Sequence, residues 1–154
     1  KRSDDPTQTA GMPTPLKPVP FFNLAPLENA IARLKVSAKG YDTTLAAKGA
    51  ALTPDVKARL VALAGKTEQA MTTEPGLPGG RGWYRNMIYA PGRFTGYGAK
   101  TLPGVREAIE DERWEDADTY AGYTAKAINA YADLLDQGVT LMGGPAAATS
   151  TGAR

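Results

Sequence analysis

The apolar positions of the chain fall into helical spacing over most of its length. Leu24, Leu27, Ile31, Leu34, Ala38, Tyr41 and Leu45 recur at alternating steps of three and four, which places them on one face of a helix over residues 24–50. Asn23 is suited to the N-cap, and Pro26 falls in the first turn, where a missing N–H does no harm. Gly40 interrupts this helix and marks a candidate close contact with a neighbour. Thr53-Pro54-Asp55 starts a second helix with Val56, Leu60, Leu63, Thr67 and Ala70 on one face, and Pro75-Gly76 ends it. The short connection between the two predicts an antiparallel helical hairpin. A third, short helix opens at Thr101-Leu102-Pro103-Gly104 with Val105, Ala108 and Ile109 inward. A fourth runs to about Gln137 with Ala117, Ala121, Thr124, Ile128, Tyr131 and Leu135 inward, and Gly138 is expected at the C′ position.

The expected class is therefore all-α: a four-helix bundle with a long irregular loop, rich in glycine and aromatics, between the second and third helices. Residues 1–23 carry Pro6, Pro13, Pro15, Pro18 and Pro20 and read as an extended linker that packs through Val19, Phe21 and Phe22. Residues 24–138 form the helical domain, and 139–154 a flexible C-terminal tail.

The loop differs in kind from the rest. Residues 75–104 hold eight of the 17 glycines and five of the 12 aromatics. They carry Arg81, Arg85, Arg93 and Lys100 and no acid, which predicts a field favourable to an anion. A long loop of this composition is usually functional. Arg81 is expected to be exposed, and Arg85 to hydrogen-bond backbone carbonyls. The acids that follow, Glu107 to Asp118, lack the alternation of a calcium loop and are expected as a solvated face.

Composition excludes several kinds of chemistry. The 154-residue chain has no cysteine and no histidine, so disulfides, thiolate sites, a Ser-His-Asp triad and a His-containing zinc site cannot be built from it. Only Ser3, Ser37 and Ser150 remain as serines. A net charge of +2 makes no case for nucleic acid or an anionic membrane, and no apolar run approaches a membrane span. The opening Lys1-Arg2-Ser3-Asp4 reads like the middle of a longer protein.

Three stretches carry a resemblance: Pro75-Gly76-Leu77-Pro78, then Trp83-Tyr84-Arg85-Asn86-Met87-Ile88-Tyr89-Ala90-Pro91, then Gly96-Tyr97-Gly98-Ala99-Lys100-Thr101-Leu102-Pro103-Gly104. With the first helix, they closely resemble the transferrin receptor-like dimerisation domain of glutamate carboxypeptidase-like zinc peptidases over about residues 22–137. The resemblance implies a helical domain following a peptidase domain that holds the catalytic zinc. The fragment itself then has no catalytic residue, no metal ligand and no cofactor. Its implied partners are a second copy of the chain, its own upstream peptidase domain and, through the parent protein, a peptide substrate. A periplasmic or secreted parent is also implied, with no nucleic-acid or membrane contact by the fragment.

In the glutamate carboxypeptidase subgroup a Lys-Tyr pair of this loop binds the substrate's terminal carboxylate. The tyrosine matches Tyr97, while the lysine position is Gly96 here. Arg93, three residues before Gly96, is the candidate replacement. Candidate dimer contacts are Val36, Val61, Met71, Tyr120 and Tyr123. The alternatives are a domain of a catalytically inactive, receptor-like relative and a stand-alone helical adaptor. The sequence upstream of Lys1 distinguishes them: a peptidase domain with its zinc ligands, one without them, or none.

Overall fold

The computed structural model describes Pro15, residues 17–94 and residues 96–144. The expectations for residues 1–14 and 145–154 lie outside these. The chain order is α1 (Ala25–Lys48), a 3-10 turn (Gly49–Ala51), α2 (Pro54–Ala64), α3 (Thr67–Ala70), β1 (Tyr89–Pro91), β2 (Ala99–Thr101), α4 (Pro103–Glu110) and α5 (Trp114–Leu141). The domain is mostly helical, as the periodicity predicts. The second predicted helix is split into α2 and α3 at Gly65-Lys66.

The predicted α1–α2 hairpin is replaced by another arrangement, with α5 at the centre. Helices α1, α2, α3 and α4 all pack on α5. Contacts between α1 and α5 advance in step. Leu27 and Ala30 cluster with Ala125 and Ile128. Arg33 then donates to the Asn129 carbonyl at 3.2 Å and Asp136 at 3.0 Å and also reaches Asp133. Further along, Lys48 meets the Gly143 carbonyl. Residue numbers rise together on both helices, so α1 and α5 run parallel.

Small residues make this packing close. On α1 the buried positions are Leu27, Ala30, Ser37 and Thr44. On α5, Ala125 and Ala132 are buried. A Cβ at Gly138 would lie 2.5 Å from the Tyr41 ring. The separation of packed helices is set by the side chains between them, so the small side of α1 turns inward. Leu24, Ile31 and Leu45 consequently remain 41, 38 and 41% exposed, although the periodicity placed them in the core.

Four further expectations are corrected. Gly138 lies inside α5 as a contact glycine, and α5 continues to Leu141, into the expected tail. The left-handed turn after the helix falls instead at Gly143, with φ 71°. A Cβ at Gly40 would meet nothing within 4 Å, so this glycine marks no helix contact. In the arm, Val19 and Phe21 are exposed, and only Phe22 packs, 5.9 Å from the Trp114 ring.

Asn23 caps α1 from one residue further out than expected, accepting from Ala25 N at 3.1 Å with Leu24 as the N-cap. At α2 the Thr53 hydroxyl accepts from Val56 N at 3.3 Å, the N-cap contact the sequence predicts.

Candidate functional site

The segment 71–102 is irregular but ordered by its own backbone. Met87 N donates to Met71 O at 2.9 Å, Thr73 N to Arg85 O at 2.9 Å and Leu77 N to Tyr84 O at 2.8 Å. These bonds fold residues 71–87 back on themselves. Gly76 allows the turn: its φ is +64°, and a Cβ there would lie 2.1 Å from the Gly82 carbonyl. The Asn86 side chain accepts from Ile88 N at 2.8 Å and Tyr89 N at 3.1 Å, so one amide oxygen turns the chain into β1. Strands β1 and β2 pair antiparallel, Tyr89 opposite Thr101 and Pro91 opposite Ala99. The segment is also core. Leu77, Met87 and Ala90 are buried with Val105, Tyr120 and Ala121.

Two buried side chains tie it to the helices. The Tyr120 hydroxyl donates to the Gly76 carbonyl at 2.8 Å. Burial, with Asp116 and Tyr123 nearby, raises its pKa above the ordinary tyrosine value and keeps the donor proton in place. The second tie is Arg81, which was expected in solvent and is buried. Its guanidinium pairs with Glu107 and donates to the Pro91 carbonyl at 2.8 Å. Glu107 also accepts from Arg93 N at 2.8 Å. One buried pair therefore joins the 77–84 turn, the end of β1, the start of the β1–β2 connection and α4. Glu107 was expected on a solvated face. The spacing of Gly104, Glu107, Ala108 and Asp111 is that of a single helix face, and its first three members are buried.

The β1–β2 connection carries both site residues predicted from the sequence. Tyr97 is fully exposed, at 108%. It lies between Gly96 and Gly98, where an added Cβ would meet nothing within 4 Å. The Arg93 guanidinium lies 5.2 Å from the Phe94 ring centroid and 2.9 Å from Asp111. Phe94, at 83% exposed, and Trp83, at 72% on the adjoining turn, were not singled out from the sequence.

The expected positive field is offset at this surface by carboxylate partners. Besides Arg81 with Glu107 and Arg93 with Asp111, Arg85 pairs with Glu74 at 3.3 Å and Lys100 with Glu110 at 2.5 Å. Arg85 thus meets a carboxylate rather than backbone carbonyls. Each acid lies outside the 75–104 segment, three of them on or just after α4, so the acidic run that follows the loop neutralises it.

The sequence model of the transferrin receptor-like dimerisation domain matches residues 22–136. The chain belongs to this family. Among its relatives, a probable glutamate carboxypeptidase of Arabidopsis thaliana is 32% identical over 100 residues, covering 60% of this chain and 14% of that protein. A probable glutamate carboxypeptidase of Arthroderma benhamiae is 37% identical over 67 residues, covering 44% of this chain and 9% of its own length. The chain thus spans a small part of the relatives it matches.

Within this dimerisation domain, no group of three or more carboxylates among the described residues is arranged to hold a metal ion. With no histidine or cysteine in the sequence, these residues do not fit the zinc site that the resemblance implies for the parent. Of the five candidate dimer contacts, Val36 and Val61 are exposed at 72 and 73%. Met71 is half-buried, Tyr120 belongs to the core, and Tyr123 packs edge-on against it with ring centroids 5.4 Å apart. No helix of the described residues is long and apolar enough to cross a membrane.

Proposed function

We propose that this is a non-catalytic assembly domain of a zinc-dependent, glutamate carboxypeptidase-like exopeptidase. In the full-length protein it joins two copies and contributes the β1–β2 connection to the substrate pocket of the upstream peptidase domain, which holds the zinc. The resemblance favours a parent in the periplasm or outside the cell.

The observation that carries the assembly reading is the outer line of α1. Leu24, Ile31, Ala38 and Leu45 repeat every seven residues, and three of them are about two-fifths exposed in the single chain. Leu27, Leu34 and Tyr41 alternate with them and turn toward α5. One half of a regular apolar seam is therefore used internally and the other half is open. That half is suited to a second copy, and family membership favours this occupant. A 24-residue helix is about 36 Å long. A strip of that length and about one side chain wide falls short of the roughly 800 Å² per partner that a stable interface buries. The other domains of the parent must supply the remainder.

The pocket reading rests on the clear exposure of Tyr97 at a glycine-flanked tip held by the Arg81–Glu107 pair. Its hydroxyl is a donor toward the terminal carboxylate of a peptide, and Arg93, paired with Asp111 at the end of α4, belongs to the same connection. Sedimentation of full-length Ile31→Arg tests the first part. The expected result is loss of the dimer at micromolar concentration with the helical content unchanged, and an intact dimer refutes it. Tyr97→Phe tests the second. Loss of one hydroxyl to a charged group costs about 1.5–3 kcal/mol, so kcat/KM should fall by about ten-fold or more. Unchanged kcat/KM on every peptide refutes the pocket role.

A further inference from the structure

We infer that the surface formed by the β1–β2 connection and the neighbouring turn selects an uncharged, apolar or aromatic side chain on the peptide rather than an acidic one. This rests on the pocket reading above and adds the substrate class to it. Four cations lie in the segment, and each is matched by a carboxylate of the same domain: Arg81 by Glu107, Arg85 by Glu74, Arg93 by Asp111 and Lys100 by Glu110.

Lys100 and Arg93 flank Tyr97 at three and four residues, and the partner of Arg93 is itself held in a further ion pair. Asp111 also lies 3.4 Å from Arg113, and Arg113 in turn pairs with Asp116. A side-chain carboxylate arriving from solution would have to displace Asp111, which is tethered beside the guanidinium at high effective concentration. It would also leave Asp111 with Arg113 alone. The Phe94 ring centroid lies 5.2 Å from the Arg93 guanidinium.

Aromatic surface is what remains open. Phe94, Tyr97 and Trp83 are 83, 108 and 72% exposed. The open space beside Gly96 and Gly98 leaves room for a ligand to approach the Tyr97 ring. Exposed rings of this kind gain by offset or edge-on packing against an apolar side chain, and that packing requires no cation. The Tyr97 hydroxyl remains available to the terminal carboxylate, which every peptide substrate carries. The selectivity concerns the side chain next to it.

The test uses the full-length protein with matched dipeptides ending in Phe, Leu, Glu or Asp. Both kcat/KM and, by calorimetry under non-turnover conditions, Kd are measured. The expected result is at least a ten-fold preference for Phe and Leu over Glu and Asp. Asp111→Asn, which releases Arg93, should shift that ratio at least five-fold toward the acidic peptides. Preference for acidic peptides in the wild type overturns the inference, as does a ratio that Asp111→Asn leaves unmoved. Tight, selective binding of Phe and Leu peptides without turnover upholds the inference and rejects the peptidase reading. Absence of peptide binding rejects both.

Discussion

Changing Glu107 to Gln removes one charge from the buried pair that holds the middle segment. The Glu107 side chain is 4% exposed and that of Arg81 10%. Breaking a buried ion pair by neutralising one partner generally costs about 3–5 kcal/mol, because the remaining charge stays out of water without compensation. Here Arg81 is already short of one contact, since its Nε has no hydrogen-bond partner among the described residues. Two features hold the cost to the lower end of that range. The Gln oxygen still accepts from Arg93 N, and Arg81 keeps the Pro91 carbonyl. The expected loss is about 3 kcal/mol. At roughly 4 °C per kcal/mol for a domain of this size, the melting temperature should fall by about 12 °C.

The measurement is urea unfolding followed by far-ultraviolet circular dichroism, with Glu110→Gln as the control. Glu110 also pairs with an amine, that of Lys100, but its side chain is 53% exposed. An exposed pair is worth roughly 0–1 kcal/mol, so the control should lose no more than that. The double variant Arg81→Met/Glu107→Leu should be more stable than Glu107→Gln, because it removes both charges. A loss below about 1 kcal/mol for Glu107→Gln, or equal losses at Glu107 and Glu110, would refute the assignment of this pair as the tie between loop and helices.

Two glycine substitutions test the packing in opposite directions. Gly40→Ala should stabilise the domain by about 0.5–1 kcal/mol, since the position is helical and an added Cβ meets nothing within 4 Å; destabilisation in the same urea assay would mean that a neighbour lies there. Gly104→Ala should destabilise by about 1–3 kcal/mol, because its Cβ would fall 2.4 Å from Tyr120 Cδ1 and push the ring that bonds Gly76. A neutral result would refute the close contact between α4 and α5.

Local signals in the sequence identify most of the helical elements. Thr53-Pro54-Asp55 announces the start of α2, Leu102-Pro103-Gly104 that of α4, and spacing by threes and fours the long helices. The absence of histidine and cysteine sets the chemistry that the chain's own residues lack. The central motif points to the family before any coordinate is considered. Exposure of Tyr97 between two glycines is also a local property, since little side-chain bulk surrounds it in the chain.

Other features depend on which surfaces meet, and periodicity does not encode that. An alternating seam on α1 is equally compatible with burying either half. Only the small side chains of α5, with Gly138 admitting the Tyr41 ring, turn Ala30, Ser37 and Thr44 inward and leave Ile31 half out. Gly138 serves the same helix as contact or cap depending on whether a ring arrives there. Charge behaves alike. Four cations in an acid-free segment read as a positive field, whereas folding brings α4 and Glu74 against them and offsets it. Glu107 and Arg81 lie 26 residues apart, and the burial that makes their pairing matter is created by the elements between them. Sequence determines most helical elements and the starts of α2 and α4 because those rest on neighbouring residues; the end of α5, the core face, the buried pair and the electrostatics of the site rest on distant ones.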